Sequence, residues 1–380
     1  MKHYDYIFTG GGLSALMTVY RMAVSGKFSA KSVLIIEADA QKSNDRTWSF
    51  WEPNGGELDA VVTRKWDAAL FADSDFRKAL DLSPYRYKTI RSHDFYDLVD
   101  KVISAQSNIE RIHEKVVDFY EAGNHGVVKT ESRSFTCNKV LNSIYSPDWA
   151  AAQDKYPVLQ QHFIGWFVKT SALVFNPNQV TFMDFSVAQQ GNTRFMYVLP
   201  FSETEALVEY TLFSKDLLPE NAYETAIEAY LKNLGTTDFV ITEKERGSIP
   251  MTCYKFWKRN SKHILNMGSA GGWTKASTGY TFKNTMKKSA ALVKFLETHT
   301  DMRQFHHTNR FWFYDLLLLD ILDRHNGRGH EIFSSMFRRA NPVTILKFLD
   351  EETSLSEDLH IIWNCPKKLF INALFKRLVR

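Results

Sequence analysis

Gly10-Gly11-Gly12-Leu13-Ser14-Ala15 follows a short apolar run, Tyr6 to Thr9, and leads into helical spacing from Ser14 to Val24. A second apolar run, Ser32 to Ile36, ends on Glu37. This is the order a dinucleotide site needs: a tight glycine turn, amides at a helix start facing a pyrophosphate, and an acid about twenty residues on for ribose hydroxyls. Between a strand and a helix the fingerprint is specific for a dinucleotide, but it does not separate FAD from NAD(P). Arg46, just beyond, has the charge to meet a phosphate, and Trp48 and Trp51 have the rings to wall a cofactor. A later run, Gly268-Ser269-Ala270-Gly271-Gly272 through Gly279 to Phe282, makes a second glycine-rich strand-to-helix joint. An extended FAD is commonly met by such a late loop, which a plain dehydrogenase does not need, so the pair argues for FAD. The candidate acid is Glu209. With period two, Leu207, Glu209, Thr211 and Phe213 share one strand face, and if that face is interior, desolvation raises the carboxyl pKa until it holds a proton at neutral pH. Asp184, sharing a face with Phe182 and Ser186, is either a second lining carboxylate or a structural hydrogen-bond acceptor.

The elements that must position these groups divide the chain. Residues 60–90 mix short alternating segments with charged loops. His93 to Ala105 has an amphipathic helical stripe, and Val116–Phe119, Gly126–Thr130 and Val140–Ser143 are strands that return to the first sheet. Phe163–Thr170, Val180–Phe185, Arg194–Leu199 and Glu205–Phe213 are consecutive strands and imply an inserted antiparallel lobe. A helix is expected over Asn221–Leu234, an extended segment ending at Ile249-Pro250, a strand at Ile264–Met267 and a helix from about Asn284 to Glu297. Beyond 300 the chain reads as helical, at Leu316–Leu322, Ile332–Ala340, Thr344–Asp350 and Pro366–Arg380. The last of these places Leu369, Phe370, Leu374 and Leu378 near one stripe with Lys367, Lys368, Lys376, Arg377 and Arg380 around it, a pattern suited either to a lipid interface or to docking on the protein.

A chain of 380 residues exceeds what one core usually fills and divides into lobes. The expected divisions are 1–80 and 81–150 as the first parts of an FAD-binding domain, 151–245 as the substrate sheet, 246–300 as the last part of the FAD-binding domain, and 301–380 as a helical region. Aromatic residues make up 14%, which suits either a well-filled core or the lining of an apolar or cationic ligand. A net charge of +4 is too weak to argue for nucleic acid. The 3 cysteines, Cys137, Cys253 and Cys365, indicate neither a disulfide framework nor a CxxC metal site and point to a reducing, cytoplasmic setting. His306-His307, His325 and His330 lack accompanying ligands at metal spacing, so no metal is expected. The start of the chain lacks the pattern of a signal peptide. The longest apolar stretch, Phe311 to Leu322, contains Asp315 and Asp320 and falls short of the ~18 residues that span a bilayer. A soluble or surface-bound protein is therefore expected.

Asn44-Asp45-Arg46-Thr47-Trp48, Met183-Asp184-Phe185, Phe195-Met196-Tyr197-Val198-Leu199-Pro200, Leu207-Val208-Glu209-Tyr210-Thr211, Gly247-Ser248-Ile249-Pro250-Met251 and Ala270 to Phe282 occur in an order that resembles the flavin-dependent lycopene cyclases. The resemblance is nearest to the bacterial β-cyclases and runs from Tyr6 to about Phe348. It implies an α/β fold: an FAD-binding Rossmann-like flavoprotein domain, an antiparallel β-sheet substrate domain and a helical C-terminal region, similar to FAD-dependent hydroxylases and geranylgeranyl reductases. It also implies FAD active in its reduced form, NAD(P)H as electron donor, a linear carotenoid such as lycopene as substrate, and a cytoplasmic protein held peripherally at a membrane. Gly10, Gly12, Leu13, Ser14, Ala15, Glu37, Arg46, Gly268, Gly271 and Gly279 then match cofactor-binding positions, with Glu209 and Asp184 as catalytic candidates. Glu209 matches the first acid of the family's Phe-Leu-Glu-Glu-Thr stretch, while Tyr210 stands where many members carry the second, which leaves Glu209 as the acid of this motif.

The implied reaction is a non-redox cyclisation by an intramolecular lyase. A proton added at C2 leaves a tertiary cation at C1, the C5–C6 double bond closes the ring, and loss of the C6 proton gives the β-ionone end. Such a site needs an acid, a dry pocket, electron-rich neighbours and a base. Either Glu209 or the reduced flavin is the proton donor on this reading. The alternatives are a flavin-dependent isoprenoid reductase or monooxygenase on the same scaffold, and, further off, a carotenoid carrier without catalysis.

Overall fold

Glycine conformation and strand burial set the first layer of the computed structural model, which describes residues 1–40, 44 and 46–378. Strand β1 (Lys2–Thr9) runs into Gly10, whose φ of +89° reverses the chain at little steric cost for glycine. Helix α1 (Leu13–Ser25) follows and stops at Gly26, which adopts the left-handed conformation and donates its N–H to the Ala23 carbonyl. Strand β2 (Val33–Glu37) then lies parallel to β1. The chain continues through β3 (Thr47–Glu52), β4 (Arg64–Trp66), β5 (Ala68–Asp73), β6 (Phe76–Asp81), β7 (Arg86–Arg91), α2 (Ser92–Ser104), β8 (Ile109–His113), β9 (Val116–Ala122), β10 (His125–Thr130), β11 (Ser134–Asn142) and the short α3 (Asp148–Ala151). Asp45, of the Asn44-Asp45-Arg46-Thr47-Trp48 motif, lies outside the described residues.

The first sheet has the order β8-β2-β1-β11-β10-β9. Its central strands β1 and β2 are buried on both faces, which is why they read as apolar runs rather than alternating ones. A further strand, named below, pairs in parallel with the last residues of β11, Val140 to Asn142, while β10 pairs antiparallel with its first half.

Strands β12 (Val158–Thr170), β13 (Gln179–Asp184), β14 (Thr193–Pro200) and β15 (Glu205–Ser214) are followed by helix α4 (Glu220–Asn233) and the long β16 (Phe239–Thr252). They form the second sheet, ordered β16-β12-β15-β14-β13-β5-β6. It is antiparallel except between β13 and β5, which are parallel. The lobe therefore draws on residues outside 151–245: β5 and β6 come from the segment that reads in sequence only as short alternating pieces, and β16 runs on to Thr252. Period two governs its faces. Ala206, Val208, Tyr210 and Leu212 of β15 pack under Tyr223, Ile227, Tyr230 and Leu231 of α4. Leu207 and Phe213, on the opposite face, join the core cluster that includes Phe333 and Phe337. A small sheet, β3-β7-β4, carries the segment after Arg46.

The remaining elements are β17 (Ile264–Asn266), which is the strand paired with β11, α5 (Phe282–Thr298), α6 (Arg310–His325), α7 (Gly329–Arg339), α8 (Pro342–Leu349), α9 (Leu355–Asn364) and α10 (Lys367–Leu378). Side chains define their starts: Asn309 accepts from Phe311 and Trp312 amides, Asn341 caps α8 with Pro342 behind it, and Ser354 with Glu357 forms a capping box for α9. Helix α9 falls within the stretch beyond 300 that reads as helical, though the sequence reading does not delimit it; Leu355, Leu359 and Trp363 among its apolar positions are exposed.

The acids that interrupt the apolar run of α6 are paired: Lys275 Nζ donates to Asp315 at 3.1 Å, and Arg377 of α10 donates to Asp320 at 2.6 Å. Arg377 thus turns inward beside the buried Leu369 and Ala373, while Leu374, Phe375 and Leu378 face outward, so the expected apolar stripe of this helix is divided between two sides. Arg380 lies outside the described residues. No helix among the described residues is long and apolar enough to cross a membrane.

Candidate functional site

The start of α1, the late glycine loop and the second sheet meet around one cavity of about 450 Å3. One end is lined by Gly12, Leu13, Arg46, Trp48, Ser269 and Gly279. The other is walled by Phe182, Phe195, Phe213, Phe333, Phe337 and Leu349. Glu209 opens into it beside Tyr87, Tyr197 and Tyr280.

At the first end, the glycine turn is clasped by the acid that closes β2: Gly11 N donates to Glu37 Oε2 at 2.7 Å. Gly12 is the N-cap of α1, no side chain caps it, and a Cβ there would meet nothing within 4 Å. The first amides of α1 therefore face open space, the arrangement that receives a phosphate. Gly10, Ser14 and Ala15 act by packing. A Cβ on Gly10 would fall 2.6 Å from Ser143 Oγ, and Ala15 is fully buried. The late loop docks on the same turn: Gly268 has a φ of +59°, and a Cβ there would stand 2.4 Å from Ser14 Oγ. Gly271 fits because a Cβ would lie 2.1 Å from the Asn266 carbonyl oxygen. Gly279, with φ +72°, lets the loop pass over Gln161, whose buried Oε1 has no hydrogen-bond partner among the described residues. An uncapped helix start, a glycine floor, an acid at the turn and an orphaned acceptor in the wall together fit a dinucleotide cofactor. Trp48 stacks on Phe282 with centroids 5.4 Å apart and lines this end, whereas Trp51 sits deeper against Tyr87 and Tyr280.

Glu209 is 8% exposed, and its Oε1 accepts a hydrogen bond from the Thr211 hydroxyl. Burial pushes its carboxyl up to about 8, the nearby Glu245 carboxylate adds to the rise, and the Thr211 hydroxyl opposes it. The phenols around it are driven well above their ordinary value, chiefly by burial, and stay neutral. Tyr87 and Tyr197 share a hydrogen bond of 2.9 Å. The outcome is a protonated carboxylic acid facing a cavity of ring faces and apolar side chains. This arrangement can give a proton to an electron-rich carbon and keep water from the cation that results.

Asp184 is placed differently. It is 1% exposed, but its Oδ2 accepts from Tyr230 of α4 at 3.0 Å and its Oδ1 from the Ser186 amide at 2.9 Å, with Arg77 at 3.8 Å. Tyr230 packs on the helix-covered side of the sheet, so the structure does not bring Asp184 to the cavity with Glu209. A register irregularity between Thr181 and Asp184 lets Phe182 and Met183 both line the cavity while the next residue turns away. Tyr87, Tyr197, Tyr280 and Glu245 were not picked out as site residues from sequence. Glu245 has a signal, since Glu243, Glu245 and Gly247 alternate on one face of the extended run that ends at Pro250.

The model of the family described as lycopene cyclase protein matches residues 5–375. A lycopene beta-cyclase from Pseudescherichia vulneris is 23% identical over 290 residues, 73% of this chain and 70% of that protein. Among solved structures, a geranylgeranyl bacteriochlorophyll reductase-like protein from Thermoplasma acidophilum superposes with a TM-score of 0.62 at 10% identity, covering 99% of this chain and 100% of the other. A flavoprotein/dehydrogenase from Cytophaga hutchinsonii gives 0.63 at 13% identity over 99% of this chain and all of its own. At such identity these likenesses to solved structures concern the fold.

Proposed function

The chain belongs to the lycopene cyclase family, and from that premise we propose that it is a flavin-dependent lycopene β-cyclase closing the linear ends of lycopene to β-ionone rings. The observation that carries this reading is Glu209, a carboxylic acid kept protonated by burial on the wall of an aromatic cavity. FAD is the cofactor, held by Gly12, Leu13 and the first amides of α1, with Glu37 at the turn, Arg46 beside it and Gly279 across the loop. When bound and reduced by NAD(P)H, it supplies an electron-rich, anionic surface beside the reacting end. The protein does the rest. Glu209 delivers its proton to C2, leaving a cation at C1. The C5–C6 double bond forms the C1–C6 bond, which moves the charge to C5. Loss of the C6 proton to the carboxylate that Glu209 became in the first step then forms the C5–C6 ring double bond and restores the acid. Phe182, Phe195, Phe213 and the tyrosines turn ring faces toward the charge and exclude water, which would trap it as an alcohol. Asp184 acts by fixing β13 to α4.

Anaerobic incubation with lycopene-bearing liposomes, FAD and NAD(P)H, followed by chromatography and mass measurement, tests this reading. The expected product is cyclised pigment of unchanged mass without stoichiometric consumption of NAD(P)H. A gain of two hydrogens or of an oxygen would assign the protein to a reductase or monooxygenase instead.

A substrate dissolved in lipid asks for a surface that meets lipid, and the C-terminal helices offer one. Leu355, Leu359, Trp363, Ile371, Phe375 and Leu378 are each more than half exposed, with Lys368 and Lys376 among them. Apolar side chains ringed by lysine fit an anionic membrane surface. Replacing Trp363 and Phe375 together by serine is expected to lower retention on anionic liposomes at least about tenfold, since each removes roughly 1.5 kcal/mol or more of apolar burial. Flotation assays read this directly, and unchanged flotation would rule the patch out.

A further inference from the structure

Two carboxyl groups face each other across a glycine in the second sheet. Gly165 of β12 lies in register with Glu209 of β15 on one side and with Glu245 of β16 on the other. A Cβ at 165 would lie 3.5 Å from Glu209 Cβ and 3.3 Å from Glu245 Cγ. The missing side chain thus leaves the acids as neighbours on one face, with Leu207 Cδ1, 2.9 Å from the same Cβ position, filling part of the gap. Tyr210, which follows Glu209 in sequence, points to the opposite face and packs there with α4.

The surroundings of the two differ. Glu209 is enclosed by Tyr87 of β7, Tyr197 of β14 and Tyr280 of the late loop, all neutral, with Thr211 beside it on β15. Glu245 sits nearer the surface, and its Oε2 accepts from the Thr47 hydroxyl of β3 at 2.7 Å. Arg91 of β7 donates to Thr47 at 3.4 Å and to Glu243 at 2.6 Å, and Arg46 adds a further positive charge. The Thr47 hydroxyl and the Arg91 and Arg46 guanidinium groups favour the ionised form of Glu245 and the Glu243 carboxylate opposes it, while among the described residues Glu209 accepts from the Thr211 hydroxyl alone. Burial raises Glu245 as well, to about 7, with the Thr47 hydroxyl and Arg91 opposing the rise.

We infer that Glu245 is a positioning residue for the proton donor: its carboxylate, one strand beyond Gly165, forms a pair with Glu209 in which the proton resides on the member facing the cavity. The second acid of the site is supplied across strands rather than by the next residue in sequence. Like charges at this spacing resist joint ionisation, so a negative Glu245 holds the proton on Glu209. This inference rests on the cyclase reading for its use, but not for its existence.

The test is Glu245→Gln, which keeps a hydrogen-bonding partner for Thr47. With reduced FAD and lycopene liposomes, the alkaline loss of cyclisation is expected to move down by roughly one pH unit, so that activity at pH 8 falls about fivefold while activity at pH 6 changes little. Glu245→Asp, which retains a carboxylate, is expected to recover part of the alkaline activity. Infrared titration of the protonated carboxyl band in the flavin-loaded protein, without substrate, should show the same downward shift for Glu209, identified by its loss in Glu209→Gln. A uniform fall in activity at every pH, or a Glu209 titration unmoved by Glu245→Gln, would overturn the pairing. Because the infrared measurement needs no turnover, it reads the pair even if the protein cyclises nothing.

Discussion

Glu209→Gln is expected to lower cyclisation by at least about a hundredfold in the presence of reduced FAD, the usual contribution of a positioned general acid. Gln has nearly the same shape and can still meet Thr211, so flavin content should stay at the wild-type level. Pigment chromatography at fixed time gives the loss, and near-normal product would remove this residue from the reaction. The same variant carries a stability signature of opposite sign. An acid whose folded value lies above its unfolded value of 4.5 binds its proton more tightly when folded. It leaves folding unaffected below about pH 4.5 and weakens it progressively as pH rises toward 8, by about 1.4 kcal/mol per unit. Glu209→Gln removes that cost, so its melting temperature should exceed the wild type's more at pH 8 than at pH 5. A constant difference across that window would show that the carboxyl is not held protonated.

Gly268→Val is expected to remove bound flavin and to destabilise the fold. A Cβ at this position would stand 2.4 Å from Ser14 Oγ, in the first turn of α1, and the backbone holds a φ of +59° that a branched residue rarely adopts. Overpacking and backbone strain each cost roughly 1–3 kcal/mol. The relief available is a shift of the loop away from α1, which would open the place where the two glycine segments converge. Flavin absorbance per mole of purified protein and thermal unfolding measure the two effects. Full flavin content in a stable variant would mean that the late loop takes no part in holding the cofactor.

The parts of the molecule that follow one local rule were legible in the sequence. The β1-α1-β2 unit, with Glu37 at the turn, follows from a glycine fingerprint between apolar runs, and the face of Glu209 follows from period two on β15. What escaped depends on which strands become neighbours. Strand β5 joins the second sheet from a distant segment, and nothing in residues 60–90 marks its parallel partner β13. Asp184 obeys its alternation only as far as the irregularity in β13, which turns it toward Tyr230. Glu245 becomes a neighbour of Glu209 only because β12 lies between their strands and carries glycine at that register. Such pairings are set by long-range assembly, and no window of adjacent residues encodes them.

The far wall of the cavity, contributed by Phe333, Met336 and Phe337 of α7 and Leu349 of α8, separates inheritance of fit from inheritance of chemistry. Under the proposed cyclase reading, substitutions in these two helices can lengthen, shorten or bend the berth for a hydrocarbon without replacing a residue of the glycine turns or the acid. A lineage could therefore drift toward longer or differently decorated polyenes by editing a short stretch near its end, while the machinery that moves protons stays as it was.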